Sequence, residues 1–485
     1  MSRLDAHLRP SDAFAWYMER DPALRSTVVS VMWLDRAPAW DVLVDRVDRA
    51  SRLAPGFRKR VVAPPLRLAT PRWTDDGDFD LGWHLRRVVA PPPHDRGTVV
   101  EIARVAAMAS FDRDRPLWEF TLVEGLADGG AAFVMKVHHS LTDGVGGMQL
   151  ALLLFDLTAV PPSAEVLGPL PEVPPGERVD AVAVLADAVA SSAERAVTGV
   201  ARAARAAVPA MWRAGRDPLG SARRAGALAA SVYRMTKPLS DTRSPVMTER
   251  GTTRCLATLD VPLADLRAAA AASGGTVNDA FMAAVAGGLR RYHEIHGACV
   301  SSLRVTVPIN LRAPGEAAGG NRITLQRLTV PVGITDPVRR MREVHDVCRA
   351  ARDEPSLAVT DGVAAGLNVL PPGYLGGVLK HVDFLTSNVP GVDVPIYLAG
   401  AEVTEWIPFG PTTGTAVNVT LLSYRGTCGV GITIDTDAVP DPDTLVACLR
   451  DGFAEVVATG RAARRGRRSR PAVRRPTSPP AALPA

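Results

Sequence analysis

The chain has 485 residues, enough for two or three domains and more than one sizeable core. Apolar residues make up 47% and charged residues 22%, which excludes a disordered or collagen-like chain. The formal charge of +5 comes from eight arginines between Arg461 and Arg475; without them 48 basic residues face 51 acidic ones, which excludes a body built to bind nucleic acid.

The opening MSRLDAHLRPSD has no apolar core of a signal peptide, and no run of about 18 uncharged apolar residues follows anywhere. Contact with lipid is therefore expected to be peripheral. From Asp12 an amphipathic helix, a strand (Val28 to Leu34) and a helix (Asp41 to Arg52) alternate. Strands are predicted over Arg58 to Val62, His84 to Val89 and Trp118 to Val123, with a helix over Thr98 to Ala109. Phe133, Met135 and Val137 alternate as a strand that enters a core, and an apolar run from Met148 to Leu154 reads as a helix. Residues 1–158 are thus predicted to form a first α/β domain.

Residues 159–244 read as a linker. Its Pro161 to Pro175 stretch is proline-rich, and Val179 to Arg234 is an Ala/Arg-rich helical segment. The apolar stripe of that segment either packs on the domains or rests on lipid with its arginines at the headgroups. Residues 245–460 return to α/β alternation, with Thr276 as N-cap of a long helix from Val277 to His293 and a closing helix from Asp443 to Ala458. Residues 461–485 are expected to be a basic, disordered tail, open to contact with anionic phospholipid. Five cysteines, an odd number without CxxC spacing, suit reduced thiols in the cytoplasm rather than a metal site.

The chemistry concentrates between Phe133 and Leu154. Two histidines, His138 and His139, end the strand, followed by Asp143-Gly144 and Gly146-Gly147. Successive strand side chains point to opposite faces, so the two histidines are expected to divide the work. One faces a cavity and the other packs behind it. Asp143 folds back across the turn or pairs with an arginine, and Gly144 suits a backbone approach that a side chain would block. Read blandly, the same residues are a buried structural pair with a helix-capping Asp. Diverging neighbours also argue against a two-His-one-carboxylate metal site. A DTD sequence (Asp435 to Asp437) reads as a strand-end turn. GxSxG, P-loop, GxGxxG and HExxH patterns are missing, and Ser140 directly after His139 does not form a nucleophile elbow. Direct transfer by a histidine general base, without a covalent enzyme intermediate, is the economical chemistry.

The motif HHSLTDG (His138 to Gly144) resembles the HHxxxDG signature of the CoA-dependent acyltransferase superfamily, which includes chloramphenicol acetyltransferase and nonribosomal-peptide condensation domains. Supporting pieces point in particular to the bacterial wax ester synthase/diacylglycerol acyltransferase family, up to about residue 460. They are PSDAFAWYME (Pro10 to Glu19), PLWEF (Pro116 to Phe120), TVNDAF (Thr276 to Phe281), VPINLR (Val307 to Arg312), GNRI (Gly320 to Ile323) and SNVPG (Ser387 to Gly391). Each is weak alone; their order and spacing together are specific.

The resemblance implies an α/β fold of two chloramphenicol-acetyltransferase-like lobes, with mixed sheets flanked by helices and a helical linker between them. It implies an acyl-CoA-dependent O-acyltransferase that forms triacylglycerol from diacylglycerol, with long-chain alcohols as second acceptors that give wax esters. His139 would be the base, His138 its support, and Asp143 the residue that shapes the loop through Arg312 or, second, Arg58. Asn278 would place the acyl or acceptor group, although the Asn278-Asp279 pair can equally be helix-start chemistry; Ser387 and Asn388 are weaker candidates. No metal or prosthetic group is implied; acyl-CoA is a co-substrate. The expected setting is cytoplasmic, with peripheral contact to the inner membrane face or lipid droplets. Two alternatives stand beside this: acylation of another hydroxylated lipid such as a polyketide or glycolipid, and a catalytically silent lipid-surface binding protein of the same fold. The intact motif argues against the silent one.

Overall fold

The computed structural model describes residues 7–64, 69–141, 153–173, 176, 181–310, 323–368, 370 and 372–468. The strands of the first half are β1 (Thr27–Leu34), β2 (Lys59–Val62), β3 (Arg72–Asp75), β4 (Leu85–Val89), β5 (Trp118–Glu124), β6 (Ala131–His138) and β7 (Phe155–Asp156). Those of the second half are β8 (Arg254–Pro262), β9 (Ser302–Asn310), β10 (Ile323–Pro331), β11 (Phe384–Val389), β12 (Tyr397–Leu398), β13 (Ala401–Phe409), β14 (Val417–Tyr424) and β15 (Thr427–Asp435). Two mixed sheets carry the fold. One has seven strands in the order β4-β5-β6-β1-β13-β12-β7, the other six in the order β10-β9-β11-β14-β15-β8, and β2 and β3 form a separate hairpin.

Local sequence accounts for many of these elements. TVVSVMWL in β1 is rich in β-branched residues and lies centrally, buried on both faces. β14 and β15 are joined by Arg425-Gly426, both at positive φ (48° and 79°), the backbone of a two-residue hairpin that suits Gly at its second place. Thr276 accepts from Asp279 N–H while the Asp279 carboxylate accepts from Thr276 N–H, a capping box that starts the helix Val277–Ile295.

Each sheet has its own core. Helices Leu263–Ser273, Val277–Ile295, Pro337–Arg352 and Pro442–Arg468 cover the second sheet, with Phe281, Leu289 and Phe453 among the buried side chains. The first sheet buries Phe120, Phe133 and Leu398 on one face and Val31, Val134 and Ile407 on the other. The fold is the mixed α/β, two-lobed arrangement expected.

Two features depart from a simple division along the chain. The second half, assigned to one lobe over 245–460, sends β12 and β13 into the first sheet, where β13 pairs antiparallel with β1. Alternation marks a strand without saying which sheet it joins. The crossing is close: a Cβ on Gly431 would lie 1.8 Å from the Pro408 carbonyl oxygen, and one on Gly429 would lie 2.4 Å from that of Trp406. Only glycine lets the two sheets meet there. The closing helix also runs past residue 460 to Arg468, into the stretch expected to be disordered. Asp265 accounts for this, because its carboxylate takes Arg461 Nε at 2.9 Å and Arg464 Nη1 at 3.1 Å.

Among the described residues the linker holds a short helix, Ala164–Leu167, and two long ones, Ala181–Arg216 and Pro218–Thr236, with Asp217 capping the last by accepting the Gly220 N–H. Among the described residues no helix is long and apolar enough to cross a membrane.

Candidate active site

The pairing of β1 with β6 sets the site. Val28 lies opposite Val137 and Ser30 opposite Met135. With a side-chain period of two, Ser26, Val28 and Ser30 share a face with Met135, Val137 and His139. The ladder continues one step beyond β6, where His139 N–H donates to the Ser26 carbonyl at 3.0 Å. That face looks into a cavity of about 430 Å³, a size suited to a small-molecule ligand.

The cavity lies where the two sheets meet. Trp406 and Pro408 of β13, Ser387 and Asn388 of β11, and Asn418 and Thr420 of β14 border it together with His139. Two helices complete it. Pro10–Met18 contributes Ser11, Phe14, Ala15 and Met18; Thr360–Asn368 contributes Thr360, Val363, Ala364 and Leu367. Both sets follow the i, i+3, i+4, i+7 spacing of one helical face. The lining is largely apolar, with hydroxyl groups spread over it from Ser30 and Thr306 to Ser387 and Thr420, the amides of Asn388 and Asn418, and the guanidinium-bearing Arg327.

His138 stands on the other side of its strand. It is fully buried, and its ring meets Trp16 and Phe111 edge-on, with centroids 6.3 and 6.0 Å apart. Ser140 N–H donates to His138 Nδ1 at 3.1 Å, so in the neutral ring the proton sits on Nε2. Nε2 faces Glu19 Oε2 at 3.3 Å. The same Glu19 oxygen accepts Ser26 N–H at 3.0 Å, and Arg25 Nε lies 3.9 Å from the other oxygen. Burial alone would raise the Glu19 pKa; contact with His138, the Ser26 N–H and Arg25 outweigh it and hold the carboxyl below its ordinary value. Lys136, one further step back on this face, is buried against Glu119 at 3.1 Å, and burial pushes its pKa down.

The other candidates fall in several places. Asp143, Gly144 and Arg312 lie outside the described residues, as do Gly146, Gly147 and most of the Met148 to Leu154 run. Arg58 is engaged by Asp48 and by Ser51 Oγ, the latter at 3.0 Å, and its guanidinium covers Phe79. Ser387 and Asn388 border the cavity. Asn278 does not: its side-chain amide lies beside Met282 Sδ (3.4 Å) and Cys348 Sγ (3.9 Å). Asp279 closes the capping box and lies 2.8 Å from His345 Nδ1. The polar atoms of this pair are spent on the helix start and on the neighbouring helix Pro337–Arg352, away from the cleft. Trp118 is fully buried and donates from Nε1 to the Phe57 carbonyl. Asp435, first of the DTD acids, is buried at a strand end, where it takes the Gly251 N–H and faces Arg254 Nη1 at 3.2 Å.

Glu19 and Ser26 were missed by sequence reasoning. The available signal was an acid closing the apolar stretch FAWYM, eight residues before the strand that begins at Thr27, a place where an unpartnered carboxylate is costly.

Comparison with known proteins bears on what this cavity is for. Residues 8–281 match the family model of the wax ester synthase/diacylglycerol acyltransferase catalytic domain, and residues 319–456 that of the C-terminal domain of the same family. A protein of Mycobacterium tuberculosis strain H37Rv, provisionally named a diacylglycerol O-acyltransferase, is 37% identical over 459 residues, covering 94% of this chain and 92% of the relative. Among solved structures, the wax ester synthase/diacylglycerol acyltransferase of Marinobacter aquaeolei VT8 superposes with a TM-score of 0.59 at 22% identity, over 94% of this chain and 99% of that one. A starter condensation domain of rhizomide synthetase, solved in complex with C8-CoA, has the same fold with a TM-score of 0.59 at 13% identity, over 94% of each chain. A relative this similar over nearly the whole length, together with two family models in series, settles the affiliation: the chain belongs to the wax ester synthase/diacylglycerol acyltransferase family and is an acyltransferase.

Proposed function

We propose that the chain transfers a fatty acyl group from acyl-CoA to the free hydroxyl of diacylglycerol, with a long-chain alcohol as second acceptor. The observation that carries this reading is the position of His139: a histidine at a strand end, backbone-fixed to Ser26, on the wall of a mainly apolar cavity between two sheets. A largely apolar lining suits long hydrocarbon chains, and a histidine on its wall suits a hydroxyl nucleophile. The names of relatives support the acceptor, and the neighbour solved with C8-CoA supports the donor.

In this mechanism an imidazole nitrogen of His139 removes the acceptor's hydroxyl proton as the oxygen bonds to the thioester carbonyl carbon. An unperturbed imidazole pKa of about 6.5 allows it to accept and return a proton near neutrality. The tetrahedral intermediate collapses with cleavage of the C–S bond, and the proton passes from the imidazolium to the departing thiolate. Ester and free CoA result. Ser387 and Asn388, on the cavity wall, are the donors offered to the oxyanion, a contribution worth about 3 kcal/mol in comparable sites. His138 and Glu19 hold the loop from behind, and Asp143 keeps the role of loop shaper that the motif assigns it. No metal or prosthetic group takes part in these steps. The enzyme works from the cytoplasm at the inner membrane face or a lipid droplet, where its acceptors reside.

The test is acyl transfer from labelled acyl-CoA with diacylglycerol, with hexadecanol and without acceptor, resolved by thin-layer chromatography for wild type and His139→Ala. New ester with an acceptor, lost in the variant, is expected. Ester that persists undiminished in His139→Ala removes the mechanism.

A further inference from the structure

Exposed large apolar side chains are unevenly spread. Of the 21 among the described residues, 12 lie between Val160 and Tyr233, in the linker. Three of them sit where its two long helices meet. Met211 (69% exposed), Trp212 (66%) and Leu219 (74%) fall within nine residues, around the break at Asp217. Exposed apolar side chains clustered this way mark a surface meant to be covered.

The charges at the corner say by what. From Arg205 to Lys237 there are seven basic residues and one acid, Asp217, in a chain whose body is otherwise slightly acidic. Asp217 is spent locally, capping the second helix and lying 3.4 Å from Arg224. Arg213, Arg216, Arg223 and Arg224 are exposed beside Met211, Trp212 and Leu219. A greasy tip ringed by arginines, with a tryptophan among them, fits the headgroup layer of an anionic bilayer: the apolar groups enter the acyl boundary and the guanidinium groups pair with phosphates. A protein partner of ordinary composition offers no such matching of charge with depth.

The second helix also connects this corner to the cavity. Leu219 and Tyr233, both exposed, are about four turns apart and so on one side of it. At its far end Met235 borders the cavity, and Arg327 gathers the carbonyls of Arg234, Met235 and Lys237 to pin that end to the second sheet. We propose that the corner between Ala181–Arg216 and Pro218–Thr236 docks the enzyme on an anionic phospholipid surface. The inference rests on the acyl-transfer reading only for what the docked enzyme collects there.

The experiment uses the full chain with vesicles of phosphatidylcholine alone and of phosphatidylcholine mixed with phosphatidylglycerol, read by flotation and tryptophan emission. Wild type should float with the mixed vesicles, with a blue-shifted emission that Trp212→Phe diminishes, and salt should release it. Two sets of variants, Met211→Glu with Leu219→Glu, and Arg213→Gln with Arg216→Gln, Arg223→Gln and Arg224→Gln, should each weaken partitioning about tenfold or more. Neither should change acyl transfer to a dissolved short-chain alcohol. Wild type that fails to float, or variants that float as well as wild type, would overturn the docking surface. Failure of the acyl-transfer reading would show separately, as vesicle binding without ester formation from any acceptor.

Discussion

Glu19 stands 3.3 Å from Nε2 of His138 and also accepts the N–H of Ser26, whose carbonyl in turn takes the N–H of His139. One buried carboxylate therefore holds the ring behind the motif and the backbone beside the cavity-facing histidine. Glu19→Gln keeps an acceptor but removes the charge. It should lower kcat by roughly tenfold to a hundredfold while the KM for acyl-CoA stays within about twofold. Glu19→Asp, which retains the charge one methylene short, should recover part of the loss. A variant that lost stability alone, with unchanged kcat in the folded fraction, would show Glu19 to be scaffold and no more.

His139 and His138 should separate cleanly on mutation. His139→Ala is expected to cut ester formation by about 10² to 10⁴, the usual contribution of a positioned general base, with little change in melting temperature. His138→Ala empties a fully buried site between Trp16 and Phe111 and leaves Glu19 without its ring partner. Its larger cost should appear in thermal unfolding, with residual turnover above that of His139→Ala. Labelled-ester chromatography and a melting curve on both variants check this; the reverse order of activities would reverse the assignment.

The alternation of Phe133, Met135 and Val137 was enough to set His138 and His139 on opposite faces, because period two is a property of the strand itself. Most helices and strands were legible for the same reason. The passage of β13 into the first sheet was not, since strand pattern carries no address and Gly429 and Gly431 mattered only once a partner strand was known. Asn278-Asp279 shows a different limit. A polar pair at a helix start satisfies both a capping reading and a binding reading, and only the positions of Thr276, Cys348 and His345 separate them. Glu19 escaped notice because its partners are Ser26, seven residues on, and His138, on a strand far along the chain.

The spacing of Ser11, Phe14, Ala15 and Met18 along one wall makes chain length a matter of helix face. Ala15→Phe puts a ring into the cavity from this helix face while leaving the His139 and Glu19 side chains in place. It should shift preference from long toward short acyl-CoA or alcohol by about tenfold in kcat/KM. Competition between two acyl-CoA chain lengths measures this directly. An unchanged preference would place the hydrocarbon chain elsewhere.

Acid sensitivity should come partly from buried histidines held neutral. His84 is fully buried, stacked between Phe79 and Trp118 at 5.1 and 4.5 Å, and donates from Nδ1 to the Trp118 carbonyl at 2.7 Å. Burial pushes its pKa below the ordinary 6.5, and the hydrogen bond to Trp118 offsets only part of that. His293, buried with Nδ1 against the Leu289 carbonyl and Nε2 against Ser244 Oγ, is lowered for the same reason. Below about pH 6.5 the unfolded chain binds protons that the folded chain refuses. The stability linked to these rings is thus full above 6.5 and is lost as pH falls from there through their folded values. His84→Phe keeps the stack and removes one titrating group, so its melting temperature should fall less steeply over that interval, whatever its starting value. Equal slopes for variant and wild type would mean that the His84 ring takes up its proton in the fold as readily as in water.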